Sequence, residues 1–476
     1  MNLKNLLLSL FPALAIVGCS TIADARKAQS SIAALANNNA PMTTRELSLK
    51  DYSLQQLVDF AMTNRPSMRS AALKLEDARL ALKSIAAEAP LVSSTPWNSL
   101  DLSVSASHSE SSAGSHFDDM KWKTDGNPSA SLSLDILIYD FGRNDADLKA
   151  QVENVIAAEL ECTETGYTVF NEVANAYFTL LEQCALLEVA HTNEYEYALH
   201  VDQAQKRLDA GEAMKLDLLR AKLDLAQAKE KTVAAQLKVR TAGAEMMRSL
   251  GIDAAQGERS EIMEFEGNAL SFALKGFPRT KYTVKEAYAI AHTNAPVMKV
   301  ARAKLRSASA GVDRAIADLY PTISASTSLR WTDPLWYFNW GFSAAQSLFT
   351  GFKKTTAVER AVVTMQQSEA DIYRIEQELS RDLETAIASR DNAREAERTA
   401  AESYAQALEN RSVVNEQYEQ GDVSRVEYTD SVSAYVQALG SRISAFYDWQ
   451  RSEAALFAEI GMYPVYEERK FTEEVK

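Results

Sequence analysis

The chain has 476 residues, of which 46% are hydrophobic, and this length alone suggests roughly three domains with ample core. Its 17 glycines and 11 prolines are few for a loop-rich or all-β protein. The formal net charge is −15 and no cluster of Lys and Arg is present, which excludes nucleic acid as an expected partner.

The amino terminus predicts an export signal at residues 1–18. A short charged start is followed by an apolar run from Leu6 to Val17 and then by Cys19. This ending resembles the bacterial lipobox, which implies that Cys19 is lipidated, and Ser20 implies sorting to the outer membrane. The alternative is an ordinary signal peptide with a coincidental cysteine.

The rest of the sequence offers no transmembrane helix, because no uncharged apolar run of eighteen residues follows Cys19. A membrane crossing would therefore have to use β-strands. Cys162 and Cys184 lie 22 residues apart in one helical stretch, about 33 Å along a helix, so we expect small buried hydrophobes rather than a disulfide.

The chain is internally duplicated. Gly211 corresponds to Gly421 at an offset of 210 residues, and three pairs of motifs recur in the same order. These pairs are TNRPSM (63–68) with TNAPVM (293–298), LIYDFGR (137–143) with SLFTGFK (347–353), and SLGI (249–252) with EIGM (459–462). The first pair is offset by 230 residues, so the first half carries about 20 extra residues before Asp140.

Four segments alternate apolar and small polar residues, as β-strands do: 100–109, 129–140, 322–331 and 338–349. Their lengths suit tilted membrane-spanning strands. The aromatic cluster from Trp331 to Trp340 is typical of an interfacial girdle. The alternative is a soluble hairpin with an aromatic mini-core. Four strands cannot close a barrel, which needs about eight, so a membrane barrel would have to be shared between chains.

Two long helices are predicted, from Arg143 to Asp209 and from Lys353 to Gln420, each about 100 Å long. Every seventh residue from Val358 to Val414 is apolar, and eight of nine are apolar at the matching positions of the first half, a heptad pattern that indicates coiled-coil packing. Returning helices are predicted at 214–250 and 424–460.

Together, the repeated motifs, their order and the turn pattern Y-x-x-G-x-x-x-x-x-E/D-x-x-D resemble the TolC-type outer-membrane efflux channel family, lipidated branch. The resemblance implies a mainly α fold with internally duplicated long helical hairpins forming a tunnel, and four β-strands per chain. Three chains would form a homotrimer with a 12-stranded membrane β-barrel.

The domain organisation implied by this resemblance follows the two repeats. The predicted segments are a signal peptide at 1–18, a lipidated segment at 19–50, a first repeat at 51–252 (β-hairpin 97–140, helical hairpin 143–250), an equatorial linker at 253–282, a second repeat at 283–462 (β-hairpin 322–349, helical hairpin 353–460) and a tail at 463–476.

The resemblance also implies roles for the turns. Gly211 and Gly421 would mark the periplasmic tip, where an adaptor protein docks. Asp217 and Tyr418 match positions that help to hold the tip closed by interhelical hydrogen bonds. The family can place an arginine two residues after the second glycine, where this chain has Val423.

Two acids follow the second turn. Glu427 and Asp430 match the carboxylates that ring the constriction in the family. Residues i and i+3 share a helix face, so three chains would place six carboxylates around one axis, a pattern that selects cations. The alternative is an ordinary solvent-facing pair near a helix start, where acids suit the helix dipole.

No catalytic constellation, cofactor motif or metal-ligand spacing is recognisable, so we expect neither an enzyme nor a cofactor or metal site. The favoured hypothesis is the outer-membrane channel of a tripartite efflux system, a passive duct supplied by an adaptor and an inner-membrane pump. The alternatives are a type I protein secretion duct and a non-pore periplasmic lipoprotein scaffold.

Overall fold

The computed structural model describes residues 54–87, 99–113, 121–211, 214–252, 282–332, 335–420 and 422–463; Cys19, Gly421 and the equatorial linker up to residue 281 lie outside them. In chain order the described elements are α1 (Leu54–Asn64), α2 (Pro66–Ala87), β1 (Ser99–Ala113), β2 (Lys121–Tyr139), α3 (Arg143–Asp209), α4 (Lys215–Leu250), α5 (Val284–Asn294), α6 (Pro296–Ala317), β3 (Thr322–Thr332), β4 (Leu335–Ala345), α7 (Lys353–Gln420) and α8 (Arg425–Ile460).

The structure confirms the duplicated, mainly helical fold. Each half has the order helix, helix, β-hairpin, long helix, returning helix. The sequence predicted only one helix ahead of each hairpin, and this was wrong, because α2 and α6 each fill 22 residues after the TNRP and TNAP motifs. Pro66 and Pro296 occupy the first position of these helices, where a missing N–H group is harmless.

The repeated motifs meet in space within each half. Gly251 ends α4 in the left-handed conformation (φ +79°), and a Cβ there would lie 3.0 Å from the Cα atom of Arg65, between α1 and α2. Gly461 ends α8 at φ +75°, and a Cβ there would lie 3.2 Å from the Cα atom of Ala295, between α5 and α6. Each returning helix therefore ends against the break between the two short helices of its own half.

The two long helices follow the heptad pattern. α3 has 67 residues and α7 has 68, and every position of both predicted stripes is buried or half-buried. The helix α6 packs against both α3 and α7. Val300 and Ala303 of α6 form a small core with Ala157 of α3. A larger core joins α5, α6, α7 and α8, with Met298, Leu383 and Leu456 at its centre: Ala287, Ala291, Ala295, Met298, Leu379, Leu383, Ile387, Leu456 and Ile460.

The four strands form one antiparallel sheet in the order β1-β2-β3-β4. The strands β1 and β2 have 15 and 19 residues, longer than the predicted segments 100–109 and 129–140, because ladder pairing continues where the apolar alternation has faded. The last strand runs 335–345 rather than 338–349, so its aromatic residues lie within the strand. Among the described residues, β1 and β4 each pair on one side only.

One face of the second hairpin is apolar. Trp336, Phe338, Trp340 and Phe342 alternate along β4 and are all exposed, Trp340 and Phe342 to 72%. The register places opposite them, in order, Trp331, Leu329, Thr327 and Ala325 of β3. Most intervening positions of both strands are small or polar, for example Ser328 opposite Asn339, and Tyr337 opposite Arg330 is the large ring among them. This two-sided pattern is the one that a strand pair between lipid and water requires.

None of the helices in the described part of the chain combines the length and apolarity of a membrane-spanning helix. Cys162 and Cys184 are free thiols. Cys184 is buried and Cys162 only half-buried, and burial raises the pKa of the Cys184 thiol to about 11. This agrees with Cys184 acting as a small apolar residue.

Candidate functional site

The candidate site is the end of the structure where both helical hairpins turn. Helix α3 ends at Asp209, and Gly211 follows in the left-handed conformation at φ +77°, its N–H donating to the Leu208 carbonyl at 2.9 Å. A Cβ at Gly211 would meet no atom within 4 Å, so this glycine is required by backbone conformation rather than by space. Met214 is the N-cap of α4.

The second turn has a defined cap. The Ser424 hydroxyl accepts a hydrogen bond from the Glu427 N–H at 3.3 Å at the start of α8. The N–H of Asp422 donates to the Gln417 carbonyl at 2.9 Å, which closes the end of α7. Glu427 therefore lies in the first turn of a capped helix, where a carboxylate is favoured by the helix dipole.

Both predicted aperture acids are exposed. Glu427 and Asp430 lie on the first turns of α8 with their side chains open to solvent in the single chain. Their exposure is compatible with a ring of carboxylates and with an ordinary solvated pair. The assembly of several chains decides between these two arrangements.

Between these acids lies a packed aromatic group that the sequence did not predict. Tyr428 is only 6% exposed and forms a core with Val414 and Val432. Partly buried Tyr418, Val423 and Val436 pack around this core, and we call the six residues the tip cluster. Val423, which departs from the family pattern, therefore has a packing role in this chain.

The tip cluster joins the two hairpins of one chain. The ring of Tyr418 stacks on Tyr428 at 4.7 Å between centroids, and the guanidinium of Arg207 lies 5.5 Å from the Tyr418 ring. His200 packs edge-on against Tyr428 at 4.9 Å. Arg207 and His200 belong to α3, whereas both tyrosines belong to the second hairpin, so ring stacking and cation–π contact tie one hairpin end to the other.

The predicted latch residues are both near this end. Asp217 is half-buried in the first turn of α4, where its N–H donates to the Met214 carbonyl at 3.0 Å. Tyr418 is half-buried in the tip cluster. The hydrogen-bonded pairing of Tyr418 with Asp217 stays a prediction.

Above the tip, a polar link joins α3 to α8. Arg451 donates to Glu182 at 2.8 Å, and the Ser444 hydroxyl donates to the other oxygen of the same carboxylate at 2.7 Å. Glu182 is only 7% exposed, so Arg451 and Ser444 are needed to stabilise its buried negative charge. In the described ranges, no group of His, Cys, Asp and Glu is arranged to hold a metal ion.

Comparison with solved structures gives the fold class. The chain is similar to the Campylobacter jejuni CmeC outer membrane channel (TM-score 0.71, 15% identity, covering 88% of each chain). It is also similar to the outer membrane protein VceC from Vibrio cholerae (TM-score 0.67, 18% identity, covering 87% of this chain and 97% of that one). A membrane protein from Pseudomonas aeruginosa matches with TM-score 0.72 and 18% identity, over 86% of this chain and 94% of the other.

The sequence matches a known protein family over both of its halves. Residues 57–252 and 287–462 match the family model for outer membrane efflux proteins, and these two ranges cover most of both halves. The chain therefore belongs to the outer membrane efflux protein family, which confirms the TolC-type resemblance. A search of curated proteins found no significant match.

Proposed function

We propose that three copies of the chain form the outer-membrane exit duct of a tripartite efflux system. The observation that carries this proposal is the sheet, which has two open edges and an exposed aromatic face in the single chain. Open edges invite pairing with another chain, and closure into a barrel removes them. Pairing β4 of one copy with β1 of the next would give 12 strands from three copies, an ordinary size for an outer-membrane barrel.

The helical part supports the same assembly. Helix α4 exposes a stripe of large apolar side chains at helical spacing, with more than half of each accessible: Leu216, Leu219, Leu223, Val233 and Leu237. Successive members of this set are three, four, ten and four residues apart, so all five fall on the a and d positions of one heptad repeat, as in a coiled-coil seam. A second copy of the chain covering this stripe would continue the packing that α3 and α7 already show. The resulting wall of helices would enclose a tunnel.

In this assembly the duct is passive and its periplasmic tip is the gate. Glu427 and Asp430 would contribute six carboxylates around the axis and favour cations. Tyr418 and Asp217 would hold the tip closed, and the turns at Gly211 and Gly421 would receive the adaptor protein. An inner-membrane pump would supply the energy, and Cys19 would carry a lipid anchor in the outer membrane.

Conductance in planar bilayers tests this proposal. We expect the purified wild-type protein to show small, cation-selective conductance. The double variant Glu427→Ala/Asp430→Ala should conduct more and lose cation selectivity, because the ring of charge at the narrowest point is removed. Glu416→Ala is the matched control, since it removes an exposed acid on α7 close to the same turn and should leave selectivity unchanged.

One result would count against the duct, and two would count against the aperture role of Glu427 and Asp430. Absence of conductance from both the wild type and the double variant, in a preparation with verified trimers, would favour the scaffold. Equal selectivity changes in the double variant and in Glu416→Ala would show that the acids act only through overall charge. Unchanged selectivity in the double variant would remove Glu427 and Asp430 from the aperture.

A further inference from the structure

A cavity of about 350 Å³ lies next to the tip cluster, between α3, α7 and α8. Val432 and Val436 belong to both the cavity wall and the tip cluster. The wall is mostly apolar, with Val189, Leu439, Ile443 and Phe446 among the residues that line it. This volume falls within the range of small-molecule sites, which are largely apolar with a few placed polar groups.

One buried polar group in the wall lacks a partner. The side chain of Asn193 lines the cavity and the residue is 6% exposed, yet its Oδ1 has no hydrogen-bond partner among the described residues. An amide oxygen only accepts hydrogen bonds, and a buried acceptor without a donor is destabilising. A ligand with a hydrogen-bond donor could pair with Asn193 Oδ1 after the side-chain amide rotates toward the cavity. This pairing would remove the cost of the unpaired acceptor.

The charged groups of the wall favour a cation. Five charged side chains line the cavity: Glu188, Glu196, Glu397, Arg411 and Arg442. Arg411 donates to Glu196 at 2.8 Å and lies 4.6 Å from the Tyr435 ring, and Arg442 lies 4.9 Å from the Tyr404 ring. Both cations are thus already engaged. Glu397 has no ion pair or hydrogen bond within the described part of the chain, and the wall carries one net negative charge.

From these groups we infer that the cavity is a binding site for a small apolar amine in its protonated form. The ammonium group donates to Asn193 Oδ1 and to the Glu397 carboxylate, both of which only accept. The apolar body of the amine occupies the space between Val189, Leu439 and Phe446. An anion is disfavoured by the net charge, and a neutral apolar molecule leaves both acceptors unpaired.

Equilibrium binding to the purified full-length protein tests this inference. The probes are naphthylmethylamine, which is a cation at neutral pH, and naphthylmethanol, a neutral molecule of nearly the same shape. We expect the amine to bind about tenfold more tightly than the alcohol, a difference of about 1.4 kcal/mol. Glu397→Gln should abolish this preference by weakening only the amine, because the variant keeps the shape of the side chain and removes its charge.

Two further variants locate the site. Glu402→Gln removes an exposed acid on the same helix, outside the cavity wall, and should leave both affinities unchanged. Leu439→Trp should fill the cavity and weaken both probes about tenfold or more. Because binding is measured at equilibrium, its outcome does not depend on whether the protein conducts.

The inference is overturned if the amine fails to bind the wild type or binds no better than the alcohol. It is also overturned if Glu397→Gln and Glu402→Gln lower amine affinity equally, since this would indicate general surface attraction. Unchanged affinities in Leu439→Trp, with thermal unfolding that matches the wild type, would place the binding elsewhere.

Discussion

Tyr418 combines a ring that packs with a hydroxyl that the proposed gate uses. The ring stacks on Tyr428 and lies beside Arg207, which holds the ends of the two hairpins together within one chain. The hydroxyl is the group that would reach Asp217 in the closed tip. These two roles can be separated by substitution, because phenylalanine keeps the ring and lacks the hydroxyl.

Tyr418→Phe should therefore raise the open probability in planar bilayers and leave the thermal unfolding temperature nearly unchanged. Tyr418→Ala should raise open probability and also lower the unfolding temperature, because it removes part of the tip cluster. If Tyr418→Phe has wild-type open probability, the hydroxyl takes no part in closure and the latch must involve other residues.

The pair of Glu182 and Arg451 makes a second prediction at the residue scale. Arg451→Ala leaves the 7% exposed Glu182 carboxylate with the Ser444 hydroxyl but without its cation. We expect the free energy of unfolding to fall by about 3 kcal/mol, because removing one partner of a buried ion pair leaves the other charge unpaired. Replacing both partners by apolar residues leaves no such charge and costs less. The double variant Glu182→Met/Arg451→Met should recover much of this loss.

Arg374→Ala is the matched control for that experiment. In the described part of the chain, Arg374 bonds only to exposed acids on its own helix, Asp371 and Glu378, so its removal should have no measurable effect on denaturant unfolding. Equal losses from Arg451→Ala and Arg374→Ala would mean that the link between α3 and α8 adds little to stability.

At the scale of elements, the contact between repeated motifs explains why both halves keep a glycine after the returning helix. Gly251→Ala meets two penalties: the left-handed backbone and a Cβ 3.0 Å from the Arg65 backbone. Gly211→Ala meets only the first, because open space surrounds it. We expect the free energy of unfolding to fall by about 1 kcal/mol for Gly211→Ala and by clearly more for Gly251→Ala. Similar losses in the two variants would contradict the close packing at Arg65.

The elements that the sequence predicted best are those whose pattern is long. The heptad stripe from Val358 to Val414 has nine apolar positions at intervals of seven residues, so the position and length of α7 follow from it closely. The helices α2 and α6 were missed because each has only 22 residues, so that an apolar pattern repeats only a few times, and because each directly follows a helix of 11 residues. The extra length of β1 and β2 comes from strand pairing, which a single strand's alternation does not record.

The candidate site was only partly predictable, because contacts between different helices leave no repeating pattern in the sequence. Gly211, Asp217, Tyr418 and the two acids stand in motifs that repeat or match a family pattern. Tyr428 lies between those acids in the sequence. Its burial depends on two residues of other helices, His200 of α3 and Tyr418 of α7. Tyr428 and Val432 are four residues apart in α8 and so share one face of the helix, which would have indicated that Tyr428 is packed.

At the scale of the whole molecule, the single chain leaves surfaces that suit further copies of itself. The sheet has two open edges, β4 is exposed along nearly its whole length, and α4 presents the apolar stripe that includes Leu223 and Leu237. Leu223→Glu/Leu237→Glu should weaken the assembly by placing charge in the seam, whereas Lys222→Glu, an exposed neighbour, should not. Size-exclusion chromatography with light scattering measures the difference, and unaltered assembly of the double leucine variant would remove this stripe from the interface.

The number of chains in the detergent-solubilised particle tests the central claim most directly. Native mass spectrometry of the purified protein should give a mass of three chains, because three four-stranded sheets close a barrel of 12 strands and leave no edge unpaired. A stable single chain that remains in the membrane fraction would contradict the account, since a four-stranded sheet cannot close on itself.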